Sequence, residues 1–305
     1  MKDALPFPSA HGPLRVLVSS YRSNPHTGGQ GIYVRALSKA LLETGCEVTV
    51  ISGPPYPQLD EGVALERLPS LDLFAEANAF LALRWGTLSN RADRIEWLAH
   101  NTGAFAEMFS FAWRLEAFVR ANAGRFDVVH DNQTLAPAMA AVDQRLPVIT
   151  TLHHPIAIDR DFAVAGAGSW WRRALAARWH SFVDVQARAA RRLPRFLAVS
   201  DAARDSYAAR CGVDPGRVTV SLNGVDHDTF NPDGEVPREG DHIVTLASAD
   251  VPIKGLDVLI DALALLKGRG RTPRLTVIGT LRDGPAKRAL ERSGLTGQVK
   301  FVSGL

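Results

Sequence analysis

The chain has 305 residues, 46% of them hydrophobic, with a formal charge of +3 and a mean hydropathy near zero. That is enough apolar material for about two domains, and so mild a basicity without a clustered patch gives no ground for nucleic-acid binding. Two distant cysteines, Cys46 and Cys211, exclude a disulfide framework or a zinc-ligand set, and with no apolar leader in residues 1–14 and no run of 18 apolar residues a cytoplasmic chain is expected.

In chain order, "LRVLVSS" (14–20) reads as a buried parallel strand. The loop "NPHTGGQG" follows, then an amphipathic helix carrying Ile32, Tyr33, Leu37, Ala40 and Leu41 on its inner side and ending at Gly45. "CEVTVIS" (46–52) is the next strand, and "VALERL" a weaker one. Residues 71–123 are helical in period and rich in Phe and Trp, with "EMFSFAWRLEAFVRA" as one long helix; they form a core layer or a lid over an acceptor site.

Strands resume at 127–131, 147–153, 195–200 and 217–222, separated by helices at 135–142, 169–193 and 201–211. The alternation predicts an α/β fold with a doubly wound parallel sheet of about seven strands. Turn formers fill 223–241, and then "HIVTLAS", a helix, "RLTVIG", a polar helix and "QVKFVSGL" begin a second sheet. The expected organisation is a domain at 1–225 with 71–123 as a helical insertion, a linker at 226–240, and an incomplete second Rossmann-like domain at 241–305. Within 169–196, tryptophans beside arginines suggest a membrane-interface helix. The spacing of Trp171, Leu175, Trp179, Phe182, Gln186, Ala189 and Leu193 instead favours a helix packed on the sheet.

The glycine loop raises the question of a phosphate. The dinucleotide fingerprint fails, because Val34 stands where a third glycine should follow Gly29 and Gly31, and no P-loop motif occurs. Two readings stay open: bare N–H groups offered to an anion at a helix N-terminus, or a glycine turn that lets the helix pack closely. Polar residues also gather at the carboxyl ends of the strands, where ligands bind in open α/β sheets. These are His130, Asp131 and Asn132 on one strand, His153 and His154 on the next, and Ser200 and Asp201 on a third. Singly, His130 reads as a satisfied core residue, Ser200 or Asp201 as a helix N-cap, and Asp159, Arg160 and Asp161 as surface ion pairs.

The segments "TGGQGIYVRALSKALLETGCEVTVIS", "FDVVHDNQ", "PVITTLHHP", "FLAVSDAARDSY", "VSLNGVDHDTFNP" and "SADVPIKGLDVLIDALALL", in that order, resemble the retaining glycosyltransferases of family 4, which have the two-domain GT-B fold. The resemblance implies a GT-B-like chain that moves a sugar from a nucleoside-diphosphate sugar to an acceptor hydroxyl with retention, needing no metal or cofactor. It implies that Gly28 and Gly29 approach the donor phosphates, that His153 is the active-site histidine, and that Lys254, beside Gly255, meets the diphosphate. His130, Asn132, His154 and Asn223 are expected to line the acceptor side of the cleft. The partners expected are a nucleotide sugar and a sugar, lipid or small-molecule acceptor, with peripheral membrane contact not favoured. Two departures stand out: Ser248 occupies the place of an arginine usual in the family, and the downstream pair of glutamates has no counterpart before Leu305. The chain alone is therefore expected to turn over poorly, with a truncated, non-catalytic relative as the alternative.

Overall fold

The computed structural model describes residues 12–26, 29–82, 86, 89–231, 239–246 and 254–303. The chain divides into two units, Met1–Asn223 and Gly224–Leu305. The first is built on a seven-stranded parallel sheet: β1 (Arg15–Ser20), β2 (Glu47–Ser52), β3 (Ala64–Arg67), β4 (Val128–Asn132), β5 (Val148–Leu152), β6 (Phe196–Ala198) and β7 (Val218–Val220). Their spatial order is β3-β2-β1-β4-β5-β6-β7. The direction of winding reverses between β1 and β4, and that is the switch point at which open α/β sheets place ligands. In register, Ser19 pairs with Asp131 and Asn132 with Thr151, so the carboxyl ends of β1, β4 and β5 finish level.

Side chains alternate across each strand, and both faces are covered. Val16, Val18, Val48 and Val50 meet helix α1 (Gly29–Glu43) through Val34, with Leu37, Leu41 and Leu42 packed around it. Leu17, Val129 and Leu152 face the opposite layer, which includes Phe111, Leu115 and Val119 of α3 (Glu107–Asn122). Helix α2 (Arg91–Asn101) joins α3 through a buried ionic knot, in which Arg114 reaches Asp93 and, at 3.2 Å, Glu96. Next to it Arg22 donates to both carboxylate oxygens of Glu107, at 2.9 and 2.8 Å. The remaining helices of this unit are α4 (Met139–Asp143), α5 (Ala157–Ala165), α6 (Trp170–Trp179), α7 (Phe182–Ala190) and α8 (Asp201–Cys211). Ser200 caps α8, its hydroxyl accepting from the Ala203 N–H at 3.1 Å.

Two sequence expectations are corrected. On α1, Leu37 and Leu41 pack inward as expected, but Ile32 and Ala40 are exposed, and the fully buried positions are Gly31, Val34 and Ser38. Gly31 sets this rotation: a Cβ there would lie 2.2 Å from the Asn24 carbonyl oxygen and 2.6 Å from that of Ser23. Residues 169–193 are likewise not one helix but two, broken at His180 and Ser181. Helix α7 packs inward through Phe182, Val183, Gln186, Ala189 and Ala190, whereas α6 buries no residue at all. Of the stripe Trp171–Leu175–Trp179, Leu175 and Trp179 turn toward the end of α2 rather than the sheet, and Trp171 is half-exposed. Arg178 donates to the Thr102 hydroxyl at 2.9 Å, and the Trp179 ring sits 5.6 Å from that of Phe105.

The second unit holds β8 (His242–Leu246), β9 (Arg274–Ile278) and β10 (Val299–Val302), parallel in the order β10-β9-β8. Helices α9 (Leu256–Gly268) and α10 (Pro285–Ser293) close one core around Ile260, Leu263, Leu275, Val277, Ala289 and Leu290. On β8, Val244 and Leu246 are left exposed.

Two predictions follow from the packing of the first unit. Gly31→Ala drives a methyl into two backbone carbonyls and should cost about 2 kcal/mol or more by urea unfolding. Gly29→Ala meets open space and should cost nothing, because alanine favours the helix; equal losses at both positions would refute the assignment. Burial raises the Glu107 carboxyl from 4.5 to about 7 in spite of Arg22. A raised folded pKa means stability present below pH 4.5 and lost as pH rises through about 7, worth about 3 kcal/mol. The stability of Glu107→Gln relative to the native chain should therefore climb across that window, and a flat difference would exclude a buried, titrating Glu107.

Candidate functional site

The level ends of β1, β4 and β5 bring Ser20, Asn132 and His153 together on the face that α1 covers. Their contacts form a directed chain. The Ser20 hydroxyl donates to the Arg22 carbonyl at 2.9 Å, which spends its proton. It can then only accept from the Asn132 amide, whose Nδ2 lies 3.2 Å away. This turns Asn132 Oδ1 toward His153 Nε2 at 2.7 Å. A carbonyl oxygen only accepts, so the network assigns the His153 proton to Nε2 and leaves Nδ1 as a bare lone pair. Ser20 and Asn132 are fully buried and His153 half-buried. Burial holds the His153 imidazole down at about 4, so it is uncharged at neutral pH.

A second ring supports the first. Tyr33, four residues into α1 from Gly29, sets its ring edge against His153 with centroids 4.4 Å apart. Its hydroxyl meets the Thr151 hydroxyl at 3.2 Å, and that hydroxyl also meets His130 Nε2 at 2.7 Å. His130 is buried, bonded and likewise held near 4, by burial and by its neighbour His153. It is a wall of the site rather than a group open to ligand.

The residue that fixes the loop after β5 is one the sequence reading passed over. Gln133 Oε1 accepts from the backbone N–H groups of His153, at 2.6 Å, and His154, at 3.2 Å, while its Nε2 donates to the His154 carbonyl at 2.9 Å. Gln133 can reach them because it sits at a positive φ of 55°. Asp131 holds that turn: its buried carboxyl accepts from the Thr134 N–H and the Ser19 hydroxyl, each at 3.0 Å. The only sequence sign is a fourth polar residue directly after "HDN". Tyr33 had been assigned to helix packing.

His154 points away from His153, as strand neighbours do, and pairs with Asp159 at 3.2 Å. Gly29 opens the first turn of α1, which carries no acidic residue, so its N–H groups suit an anion. Gly28 and Ser248 lie outside the described residues. Asn223 is exposed at the end of the first unit and is not part of the His153 cluster. In the second unit Gly255, at φ 64°, precedes α9, a conformation that favours glycine. Lys254 is exposed there, and its ammonium makes no ion pair among the described residues.

The model of Glycosyltransferase Family 4 matches residues 27–229, a span that contains Tyr33, His130, Asn132, Gln133 and His153 but begins after Ser20 and Arg22. The MMP alpha-(1->4)-mannosyltransferase of Mycolicibacterium hassiacum is 39% identical over 298 residues, covering 96% of this chain and 71% of the relative. The chain belongs to glycosyltransferase family 4. A D-inositol 3-phosphate glycosyltransferase of Pseudarthrobacter chlorophenolicus is 25% identical over 277 residues, covering 83% of this chain and 58% of that protein. Among solved structures, WaaG, a glycosyltransferase involved in lipopolysaccharide biosynthesis, superposes with a TM-score of 0.58 at 16% identity, over 95% of this chain and 70% of its own. The fold is thus the α/β GT-B type of these glycosyltransferases.

For this family 4 chain the assigned tautomer predicts the nitrogen resonances of His153. Nδ1 should show a pyridine-type and Nε2 a pyrrole-type shift at pH 7, with titration centred near 4 rather than 6.5. Rapidly averaging tautomers, or a midpoint near 6.5, would contradict the network.

Proposed function

We propose that the chain transfers a hexosyl group from a nucleoside-diphosphate sugar to an acceptor hydroxyl with retention of anomeric configuration. The observation that carries this reading is the uncharged imidazole of His153, fixed at the switch point by Asn132 and set beside the open N-terminus of α1. A neutral Nδ1 accepts a hydrogen bond from a sugar hydroxyl without pinning a phosphate beside it. In the first unit, backbone N–H groups at the start of α1 suit the negative charge of a diphosphate; in the second, Lys254 offers an exposed ammonium to the same kind of anion. The name of the 39% identical relative supports a mannosyl donor and an α product. An α product from an α-linked nucleotide sugar is retention. The non-catalytic alternative gains nothing from the comparisons, since both relatives bear transferase names.

The test is transfer and slow hydrolysis with a panel of GDP- and UDP-linked sugars, using manno-oligosaccharides and inositol phosphate as acceptors and reading the product anomer by NMR. His153→Ala should lower turnover about 100-fold. Its melting temperature should fall only a little, because water can reach the Asn132 carbonyl at this half-exposed position. An inverted product would refute retention; no turnover together with no binding of any nucleotide sugar would refute the donor class.

A further inference from the structure

Helices α5 and α6 form a hairpin that starts three residues after His154. Its turn is unusual for a surface. Residues 162–171, "FAVAGAGSWW", carry no charge, yet Phe162 is 52%, Trp170 81% and Trp171 47% exposed. Isolated apolar residues on a surface need no explanation, but three large ones at one helical tip do. Arg172 and Arg173 follow at once, with no acidic residue anywhere in 162–179. Neither is ion-paired among the described residues: Arg172 lies over the Trp171 ring at 5.1 Å, and Arg173 donates to the Ala167 carbonyl at 3.2 Å. The acids nearest the hairpin base are already engaged, Asp159 with His154, Asp161 with Arg160 and Arg210, and Asp184 with Arg160.

We propose that this tip is a docking surface for an anionic bilayer: Phe162, Trp170 and Trp171 enter the headgroup region while Arg172 and Arg173 meet lipid phosphates. Tryptophan suits that depth because its ring is apolar and its indole N–H needs a polar partner. The unpaired guanidiniums supply the charge complementarity, about fivefold in partition per arginine at an anionic surface. Contact is peripheral, since no described helix is long and apolar enough to cross a membrane. The sequence reading set such a helix aside because its tryptophans fell at core spacing; α6 has no buried residue, which removes that objection.

The experiment is co-sedimentation of the full chain with phosphatidylcholine vesicles, with and without about one-third phosphatidylglycerol, at low and high salt. It needs no enzymatic activity. Binding to the anionic vesicles only, weakened by salt, is expected. Trp170→Ser/Trp171→Ser should weaken it about tenfold or more, and Arg172→Gln/Arg173→Gln about 25-fold. Because α6 contributes nothing to the core, these variants should melt like the native chain. As a control that preserves shape, Trp170→Phe/Trp171→Phe should keep most of the binding but lose fluorescence quenching by brominated lipid. No binding to anionic vesicles, or binding unchanged in the serine variant, would overturn the proposal. So would a dimer in sedimentation velocity that the serine variant abolishes in the absence of vesicle binding, which would assign the tip to a second copy of the chain.

Discussion

The hydrogen bond from His153 to Asn132 is the contact on which the geometry of the site depends. It has meaning only because each step behind it has a fixed direction. The Arg22 carbonyl takes the Ser20 proton, Ser20 takes the Asn132 amide, and the amide oxygen takes the imidazole N–H. All four participants lie on adjacent strands or within two residues of a strand end, so the parallel register of β1, β4 and β5 is what aligns them. A slip of one residue in β4 would exchange Asn132 for Asp131 and carry the amide to the other face. A carboxylate in that place would favour a charged imidazole; the amide favours a neutral one.

The opposite face shows why the site stays rigid. Asp131 is buried without a cationic partner and is held by the Ser19 hydroxyl and the Thr134 N–H. Burial raises its pKa, and these donors work against that rise. Its product is a turn, and the turn lets Gln133 adopt the left-handed conformation from which it grips both histidine N–H groups. A buried carboxyl on one face thus fixes an imidazole on the other, through a turn rather than through contact. Such second-layer support is what catalytic constellations need when the reacting groups sit at a loop's edge.

Most of the scaffold was legible because period-two apolar runs and glycine breaks leave little choice in an α/β chain. The strand-end rule also points to His130, Asn132 and His153, which sit at the carboxyl ends of β4 and β5. What escaped has physical causes. Helical spacing says that a stripe exists but not what it faces: Leu175 and Trp179 border the segment after α2 rather than the sheet, and Trp171 is half-exposed. In the glycine loop the packing reading holds at Gly31, which has backbone 2.2 Å from its missing Cβ, whereas Gly29 faces open space and does no such packing. Gln133 was invisible because its role requires a positive φ, which polar residues adopt only with help from neighbours.

The charge state of the site follows from the same burial. A cationic imidazole beside the N-terminus of α1 would compete for whatever anion the backbone N–H groups attract, and it would hold a departing phosphate in place. Both histidines are held near 4. Their contribution to stability is therefore present at neutral pH and lost as pH falls from 6.5 toward 4, since the unfolded chain binds protons that the folded chain refuses. Glu107 runs the other way, losing stability between about 4.5 and 7. The two trends overlap in mildly acid solution and oppose each other there. Near neutrality the fold carries the full cost of an ionised, buried Glu107, which only Arg22 relieves. Arg22 is also the residue whose carbonyl starts the chain to His153. One residue after β1 thus serves two purposes, its side chain restraining a buried carboxylate while its backbone keeps the imidazole in a single tautomer.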